Sequence, residues 1–147
     1  MPLRFEQPAN GKEKQTRDHI GITDLEIVQM VAAYRNFGFW RMDVESGHFF
    51  ASEDVYAIFR LPFTTGPGNL VEVLSRIHPE DRILIAETFE QSSLHKAGFH
   101  YAYRVDNGLG GYKMVRSVGK FRGEEIVGIT YEFVEQLRVV GFEDNGA

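Results

Sequence analysis

Few residues in this sequence have a type and spacing that could do chemistry. Cysteine is absent from the 147 residues, which excludes disulfides, thiolate metal sites, cysteine nucleophiles and chromophores linked through cysteine. The five histidines form no His-Glu-x-x-His motif and no close pair with metal-ligand spacing. Serine, histidine and aspartate occur without the strand–turn–helix setting of a nucleophile elbow. We therefore predict no catalytic residues, no metal site and no enzymatic activity.

Two other motifs that could suggest chemical sites have structural explanations. The glycine-rich run 108–111 joins two predicted strands and does not open a helix, so we interpret it as a turn and not as a phosphate-binding loop. The carboxylate pairs 53–54 and 80–81 fall in the first turns of predicted helices. The positive end of a helix dipole favours acidic residues at such positions. Neither motif indicates a catalytic site.

A basic stretch runs through one predicted strand, and two interpretations of it stay open. Lys113, Arg116, Lys120 and Arg122 lie within ten residues that contain no acid. They could be the solvated edge of a sheet, or a docking site for an acidic partner surface or a nucleotide phosphate. The imperfect alternation does not show which of the four share a face. We predict that Lys113 and Lys120 are exposed and that the stretch serves partner recognition more than stability.

Composition and charge narrow the class of protein. The length favours one domain, and 43% hydrophobic with 25% charged residues is typical of a globular protein. The net charge of -5 argues against nucleic acid as a partner. No apolar run approaches the ~20 residues of a membrane span, and the polar start does not look like a signal peptide. We expect a cytoplasmic protein that does not insert into membranes.

The first predicted element is a helix from Asp24 to about Arg35. Thr23 and Glu26 have the spacing of a capping box. One apolar stripe consists of Ile27, Met30, Val31 and Tyr34, and a second apolar set consists of Leu25, Val28 and Ala32. We predict that the stripe packs on the outer face of the protein's own sheet. The second set would then be exposed unless a second chain covers it, so we predict a homodimer with Leu25, Val28 and Ala32 at the interface.

The remaining pattern indicates separate blocks of strands and helices. The predicted elements are a hairpin over 37–51, short helices over 53–60 and 70–77, a longer helix over 79–96, and strands over 99–106, 112–122 and 126–134. Ser52 and Asn69 are the expected N-caps of the short helices, and Gly98 is the expected C-terminal cap of the long one. The segregation predicts an α+β fold.

Several segments together resemble PAS domains of the fold-3 type. They are Gly38-Phe39-Trp40-Arg41-Met42-Asp43 with Gly47, then His78-Pro79-Glu80-Asp81-Arg82, Tyr103-Arg104-Val105 with Tyr112 and Val115, and Gly123 with Gly128. The resemblance covers about residues 37–136. It implies a five-stranded antiparallel sheet with short helices on one face. Residues 1–20 are then a mobile N-terminal tail, 21–36 a flanking helix and 137–147 a C-terminal tail.

The sequence departs from the family at the end of the last strand. Many PAS domains have Asp-Ile-Thr there, leading into an output helix, whereas this chain has Glu132-Phe133-Val134. Only 13 residues follow, and their glycines make a long helix unfavourable. We therefore expect a single-domain PAS protein rather than one fused to a kinase or a cyclase.

The resemblance implies a signalling or regulatory module that acts through protein–protein interaction and dimerisation. Its partners would be a second copy and signalling proteins such as a kinase or a cyclase. The alternative is a sensor that binds a small molecule or cofactor between sheet and helices, in a pocket lined by Trp40, Phe59, Tyr103, Met114, Ile129 and Tyr131. We predict that the protein binds no cofactor, and noncovalent flavin and haem are the less favoured alternatives. Haem would use His95, whose polar neighbours argue against it.

Overall fold

A computed structural model describes residues 3–4, 17–33 and 36–133. The strands are β1 (Leu3–Arg4), β2 (Phe37–Asp43), β3 (Phe49–Ala51), β4 (Phe99–Asp106), β5 (Tyr112–Arg122) and β6 (Glu125–Glu132). The helices are a short 3-10 turn (Asp18–Ile20), α1 (Asp24–Ala32), α2 (Glu53–Ile58), α3 (Leu70–Ser75) and α4 (Pro79–His95). The predicted C-terminal tail, 137–147, lies outside the described residues. None of the described helices has the length and apolar character needed to cross a bilayer.

The strands form one antiparallel sheet in the order β1-β4-β5-β6-β2-β3. The five predicted strands and the α+β class are confirmed. The sixth strand, β1, pairs with Tyr101 and Ala102 of β4 and falls in the segment predicted as a mobile tail. A strand of two residues cannot be predicted from the sequence, because the alternation of apolar and polar residues is visible only over several residues. The first long strand, β2, lies between the last strand, β6, and the edge strand, β3.

Side-chain hydrogen bonds fix the starts of three helices. The Thr23 hydroxyl accepts from the Glu26 amide at 3.1 Å, while the Glu26 carboxylate accepts from the Thr23 amide at 3.0 Å, so the predicted capping box of α1 is confirmed. Asn69 caps α3 by accepting from the Val71 amide at 2.9 Å. At the start of α4, His78 Nδ1 accepts from the Glu80 amide at 3.1 Å.

Several predicted helix ends differ from the structure, including those of α2 and α3, which end at Ile58 and Ser75, about two residues early. Helix α1 ends at Ala32, and the last two predicted residues, 34 and 35, lie outside the described residues. Helix α4 ends in a left-handed residue at Lys96 (φ 49°) and not at Gly98. The Ser52 hydroxyl precedes α2 without capping it, because it accepts from the Phe39 amide of β2 at 2.9 Å. That bond ties α2 to the sheet.

A buried ion pair attaches α4 to β4. Asp81 is fully buried, and its carboxylate accepts from the Arg104 backbone amide at 2.8 Å, from Nε at 3.0 Å and from Nη2 at 2.7 Å. Burial raises the pKa of Asp81, but the hydrogen bonds and charge of Arg104 outweigh it and hold that pKa below its usual value. This ion pair fixes α4 to the sheet, and α2, α3 and α4 together lie over one face of it, the inner face.

Helix α1 does not pack as predicted. None of its residues is buried, and the exposed fractions are 66% for Leu25, 42% for Val28, 51% for Met30 and 45% for Val31. The expectation that the stripe with Met30 and Val31 lies buried on the protein's own sheet is therefore wrong, and Tyr34 lies outside the described residues. The helical period shows which residues share a side of a helix, but not what covers that side.

Candidate functional site: an inner cavity and an outer aromatic row

A cavity of about 230 Å³ lies between the inner face of the sheet and the helices. Its lining residues are Trp40, Met42, Phe49, Val55, Phe59, Leu70, Val73, Leu74, Ile77, Ile85, Ala86, Phe89, Phe99, Tyr101, Tyr103, Ser117 and Thr130. None of these side chains carries a charge. The cavity is thus an apolar site with a few hydroxyl groups, which is the usual character of a small-molecule pocket.

Two glycines leave room for aromatic rings that line this cavity. Gly119 of β5 and Gly128 of β6 are paired across the sheet. A Cβ on Gly119 would meet the Phe99 ring, and one on Gly128 would meet the Trp40 ring and the Val118 carbonyl. The rings of Trp40 and Phe99 stack with centroids 6.0 Å apart at 16°. Any larger residue at either glycine would displace these rings from the strands.

The polar atoms of the cavity form one hydrogen-bonded row. The Tyr103 hydroxyl lies 2.8 Å from the Ser117 hydroxyl, which lies 2.8 Å from the Thr130 hydroxyl. Trp40 Nε1 donates to the Thr130 hydroxyl at 3.0 Å. We call these four side chains the hydroxyl row. Burial raises the pKa of Tyr103 against the opposing effect of its hydrogen bonds, so its phenol stays neutral.

The opposite, outer face of the sheet carries a row of aromatic rings. Phe37 stacks on Tyr131 with centroids 5.0 Å apart and contacts Phe39 at 5.6 Å. The Arg116 guanidinium lies 4.5 Å from the centre of the Phe133 ring and donates to the Tyr131 hydroxyl at 2.9 Å. We call Phe37, Phe39, Tyr131 and Phe133, with Arg116, the outer aromatic row. Phe39 is 42% exposed.

The fold is shared with solved structures of signalling proteins. No family model matches the sequence, and no curated protein matches it. The N-terminal domain of a diguanylate cyclase with a PAS/PAC sensor from Marinobacter aquaeolei is similar at a TM-score of 0.57 and 18% identity, over 65% of this chain and 94% of that one. A sensory box histidine kinase/response regulator from Burkholderia thailandensis reaches 0.56 at 18% identity, over 76% and 86%.

An RNA-binding light-oxygen-voltage receptor is also similar, at a TM-score of 0.57 and 14% identity. That match covers 66% of this chain but only 28% of the receptor, so the chain spans a small part of that protein's length. All three matches are therefore likenesses of fold. This chain has the fold of a PAS domain.

The PAS cavity receives only some of the residues predicted for it. Trp40, Phe59 and Tyr103 line the cavity. The predicted placement of Met114, Ile129 and Tyr131 on the helix-facing side is wrong. These three lie on the outer face, where Met114 pairs with Arg104, Ile129 with Phe39 and Tyr131 with Phe37. Successive residues of a strand point to opposite faces of the sheet. Assigning one residue to the wrong face therefore also misplaces every second residue along that strand.

The apolar set of β6 was assigned to the inner face because apolar residues usually point to the core. Here the inner set of β6 is instead Ile126, Gly128, Thr130 and Glu132. Gly128 is small because Trp40 lies over it, and Thr130 is polar because it completes the hydroxyl row. Ser117 and Thr130 were missed, together with Phe99 and Tyr101. The signal available in the sequence was a set of small and hydroxyl-bearing residues at alternate strand positions, together with a single tryptophan.

Neither haem nor flavin fits the geometry of this PAS cavity. His95 is exposed at the last position of α4 and does not line the cavity, so it is not placed to be an axial ligand. The volume of about 230 Å³ falls below the roughly 300–1,000 Å³ of pockets for drug-sized ligands. No cationic side chain in the lining could hold a flavin phosphate or a haem propionate. Among the described residues, no three potential metal ligands lie together.

The basic stretch is divided between the two faces. Arg116, Lys120 and Arg122 share the outer face, while the Lys113 ammonium lies 2.6 Å from the buried Glu132 carboxylate. The expectation that Lys113 is exposed is therefore wrong, since it is needed beside a buried acid. Arg122 pairs with Glu125. Lys120 is exposed as expected, which leaves the docking function of the stretch as a prediction.

The residues predicted for a dimer interface lie together on α1. Leu25 and Val28 are exposed and Ala32 is half-buried. Their spacing of three and then four residues places them along one side of the helix. They form an apolar strip that the described part of the chain does not cover.

Proposed function

We propose that this protein is a sensory signalling module without enzymatic activity that works by associating with other protein subunits, first with a second copy of itself. Similar folds occur in a sensor-linked cyclase and a sensory kinase, and signalling proteins of these classes are the proposed further partners. The absence of cysteine agrees with a reducing cytoplasmic setting.

The observation that carries this proposal is the packing of α1. The helix has nine residues, a complete capping box and no buried side chain. Isolated helices shorter than about 12–15 residues are marginal in water, so tertiary or intersubunit packing is needed to hold them. Leu25, at 66% exposed, and Val28, at 42%, are the side chains that a second subunit would bury.

The outer aromatic row provides a surface of matching character. Its rings are apolar, and Arg116 and Lys120 make that face positive, whereas the first turn of α1 carries Asp24 and Glu26. We propose that α1 of one copy packs on the outer aromatic row of the other, with acidic and basic groups opposed. Complementary charge of this kind guides orientation and raises association rates.

Sedimentation velocity of the wild type and two variants tests the proposed dimer. We expect a dimer for the wild type at tens of micromolar and a monomer for Val28→Glu, because an unpaired carboxylate in an apolar interface costs several kcal/mol. Gln29→Glu adds the same charge to the neighbouring, already polar position and should leave the dimer intact. Circular dichroism of all three proteins checks that each variant is folded.

A monomeric wild type at this concentration would contradict the homodimer. A normal dimer of Val28→Glu would show that α1 does not lie at the interface. Loss of the dimer in both variants would show that net charge, and not burial of Val28, controls association.

A second candidate function is the sensing of a small molecule, and the uncharged inner cavity favours it. The cavity is closed on one side by the sheet and on the other by helices, and it contains hydrogen-bonding groups that could recognise a ligand. Direct titration with small molecules tests this function separately from the dimer.

A further inference from the structure

The hydroxyl row uses all of its hydrogens internally. The Tyr103 and Ser117 hydroxyls lie 2.8 Å apart, as do those of Ser117 and Thr130, and Tyr103 also hydrogen-bonds to Thr130, so the three hydroxyls form a closed ring. Three hydrogens serve three contacts, and Trp40 Nε1 donates to the Thr130 hydroxyl as well. The row therefore has no hydrogen left to donate to a ligand.

One hydroxyl of the lining lies outside this ring. The Tyr101 hydroxyl makes no hydrogen bond among the described residues, and burial raises the pKa of its phenol. Apart from this group and the hydroxyl row, the lining side chains are apolar. The interior thus offers a ligand a large apolar surface and one hydroxyl, and it has no charge that would balance an ionised group.

The exposed part of the lining lies on two helices. Ala86 of α4 is exposed, and Phe89 of the same helix is half-buried. No residue of α3 is buried, and its lining residues are Leu70, Val73 and Leu74. On the sheet, all lining residues are buried except Trp40, which is half-buried. We infer that the cavity opens to solvent between α3 and α4, and we call this opening the mouth.

The mouth has one basic and one acidic residue along α4. Arg82 precedes Ala86 by one turn and Glu90 follows it by one turn, so both lie on its side of the helix. The Arg82 guanidinium donates to the Ile77 carbonyl at 2.8 Å and to the Ser75 carbonyl at 3.0 Å, which fixes it at the end of α3. With opposite charges on either side, the mouth leaves a polar group of either charge in water.

The volume sets the size of the apolar part of a ligand. A cavity of about 150 Å³ binds benzene, which has six non-hydrogen atoms, so about 230 Å³ corresponds to roughly nine. A straight alkyl chain of about eight or nine carbons would fill such a cavity. A longer chain would leave its additional carbons in water at the mouth.

We propose that the cavity binds a small amphiphile, with an apolar part of about nine non-hydrogen atoms inside and a polar group that stays in water at the mouth. This inference rests on the second candidate function, ligand sensing, and does not depend on the dimer. Because the hydroxyl row is satisfied internally, an apolar surface can cover it without leaving one of its donors unpaired.

A chain-length series tests this class by titration of Trp40 fluorescence, because the single tryptophan lines the cavity. The probes are the straight-chain alkanoates from butanoate to dodecanoate. We expect the affinity of the wild type to rise about fourfold for each added carbon, which is the usual contribution of a buried methylene. The rise should end at about eight or nine carbons, and each further carbon should then change the affinity less than about twofold.

Three probes of equal chain length test where the polar group lies. Octanoate is anionic, octylammonium is cationic and 1-octanol is neutral. We expect their affinities to agree within about fivefold, because a group that stays hydrated does not pay the cost of entering an uncharged lining. An advantage of more than about a hundredfold for 1-octanol would show that the polar group is buried, and would overturn the proposed orientation.

Variants locate the two ends of the ligand. Ala86→Leu adds three carbons at the mouth and should weaken octanoate binding at least about tenfold. Ala57→Leu is the matched control, because Ala57 is exposed on α2 and does not line the cavity, and it should change the affinity less than about twofold. Tyr101→Phe should change it equally little, since the polar group does not reach Tyr101.

The opposite results for these variants each contradict the proposal. Unchanged binding in Ala86→Leu would show that the mouth does not lie between α3 and α4. A loss of more than about tenfold in Tyr101→Phe would place the polar group inside, at the Tyr101 hydroxyl. An affinity that rises evenly up to dodecanoate would show that the chain is not confined by the cavity.

A probe without a polar group separates this proposal from the function on which it rests. If ethylbenzene binds and no alkyl probe does, the cavity takes another class of ligand, and the amphiphile alone is ruled out. If neither ethylbenzene nor any alkyl probe binds, the ligand-sensing candidate itself fails. Sedimentation reports on the dimer independently in either case.

Discussion

The two faces of the sheet differ in how they use aromatic and polar residues. On the inner face, hydroxyl groups bond to one another beneath Trp40, glycines admit the rings, and the helices cover the whole arrangement. On the outer face, phenylalanine and tyrosine rings surround the Arg116 guanidinium, and Phe39 is 42% exposed. On the inner face, polar groups are thus covered by apolar side chains, whereas on the outer face apolar rings lie next to a charged group.

This difference indicates two kinds of occupant. An apolar, uncharged cavity between sheet and helices suits a small molecule. An open surface of rings with a cation suits a protein, because aromatic residues and arginine are enriched at interfaces. The two proposed functions therefore use separate faces of the same five-strand core, and substitutions can test each face without altering the other.

The largest expected effect comes from releasing the helices that cover the inner face. Asp81→Asn removes the charge that holds Arg104, and we expect a loss of about 3 kcal/mol in the free energy of unfolding at pH 7. Urea unfolding measures it. The folded pKa of Asp81 is lowered, so its contribution is present above the unfolded value of about 3.9 and is lost as pH falls below that. The difference between wild type and variant should therefore shrink at pH 3.

Glu80→Gln is the control for this prediction, because Glu80 also pairs with Arg104 but from an exposed position, at 3.3 Å. Exposed pairs contribute little, so its loss should stay under about 0.5 kcal/mol. A difference for Asp81→Asn that is equal at pH 3 and pH 7 would show that the carboxylate charge is not what matters.

The next effect concerns the glycines under the rings. Gly128→Ala places a Cβ against Trp40 and the Val118 carbonyl, and overpacking of this kind costs about 1–3 kcal/mol. Trp40 is the single tryptophan, so its fluorescence should shift to longer wavelength if the ring is displaced. Ile129→Val, one residue further and on the outer face, should leave the emission unchanged. An unshifted spectrum in Gly128→Ala would argue against close packing of ring and strand.

A smaller effect separates two lysines of the basic stretch. Lys113→Glu would place a second carboxylate beside the buried Glu132, and we expect a loss of about 1–2 kcal/mol. Lys120→Glu, on the outer face, should change stability by less than about 0.5 kcal/mol. Chemical denaturation of both variants measures the contrast, and equal effects would show that the ion pair contributes nothing specific.

The smallest effect on stability is expected at the outer aromatic row. Phe39→Thr keeps a residue that favours strands, so unfolding should change by less than about 1 kcal/mol while dimer dissociation rises at least tenfold. Sedimentation equilibrium measures the dissociation constant. Val71→Thr is the control, since Val71 is 75% exposed on α3 and belongs to the other layer. An unchanged dimer in Phe39→Thr would remove the outer row from the proposed interface.

Local signals made most of the fold predictable from the sequence. The capping box at Thr23 and Glu26, the cap at Asn69 and the proline at position 79 each act within one turn of chain, and each is present as predicted. The alternation of apolar and polar residues in the strands was also visible in the sequence. Features that depend on distant partners were less accessible, such as the bond from the Phe39 amide to the Ser52 hydroxyl.

Only part of the site was predicted, because the face of the sheet on which a strand residue lies depends on tertiary packing. Trp40, Phe59 and Tyr103 line the cavity, but the sequence gives two alternating sets in β6 and does not state which set faces the helices. The more apolar set, with Ile129 and Tyr131, faces outward. The usual rule failed because the inner positions of β6 hold a glycine that leaves room for Trp40 and a threonine that accepts its hydrogen bond.

The place of β2 in the sheet also bears on how the chain folds. This strand pairs with β6 from Phe37↔Tyr131 to Asp43↔Glu125, which joins the two ends of the core sequence. Contacts between such distant residues are slow to form, because the entropy of closing a long loop must be lost first. The hairpin of β2 and β3 leaves the ribosome early but lacks its other neighbour until β6 has been made. Synthesis therefore passes through a long interval in which one edge of β2 is unpaired and open to pairing with other chains.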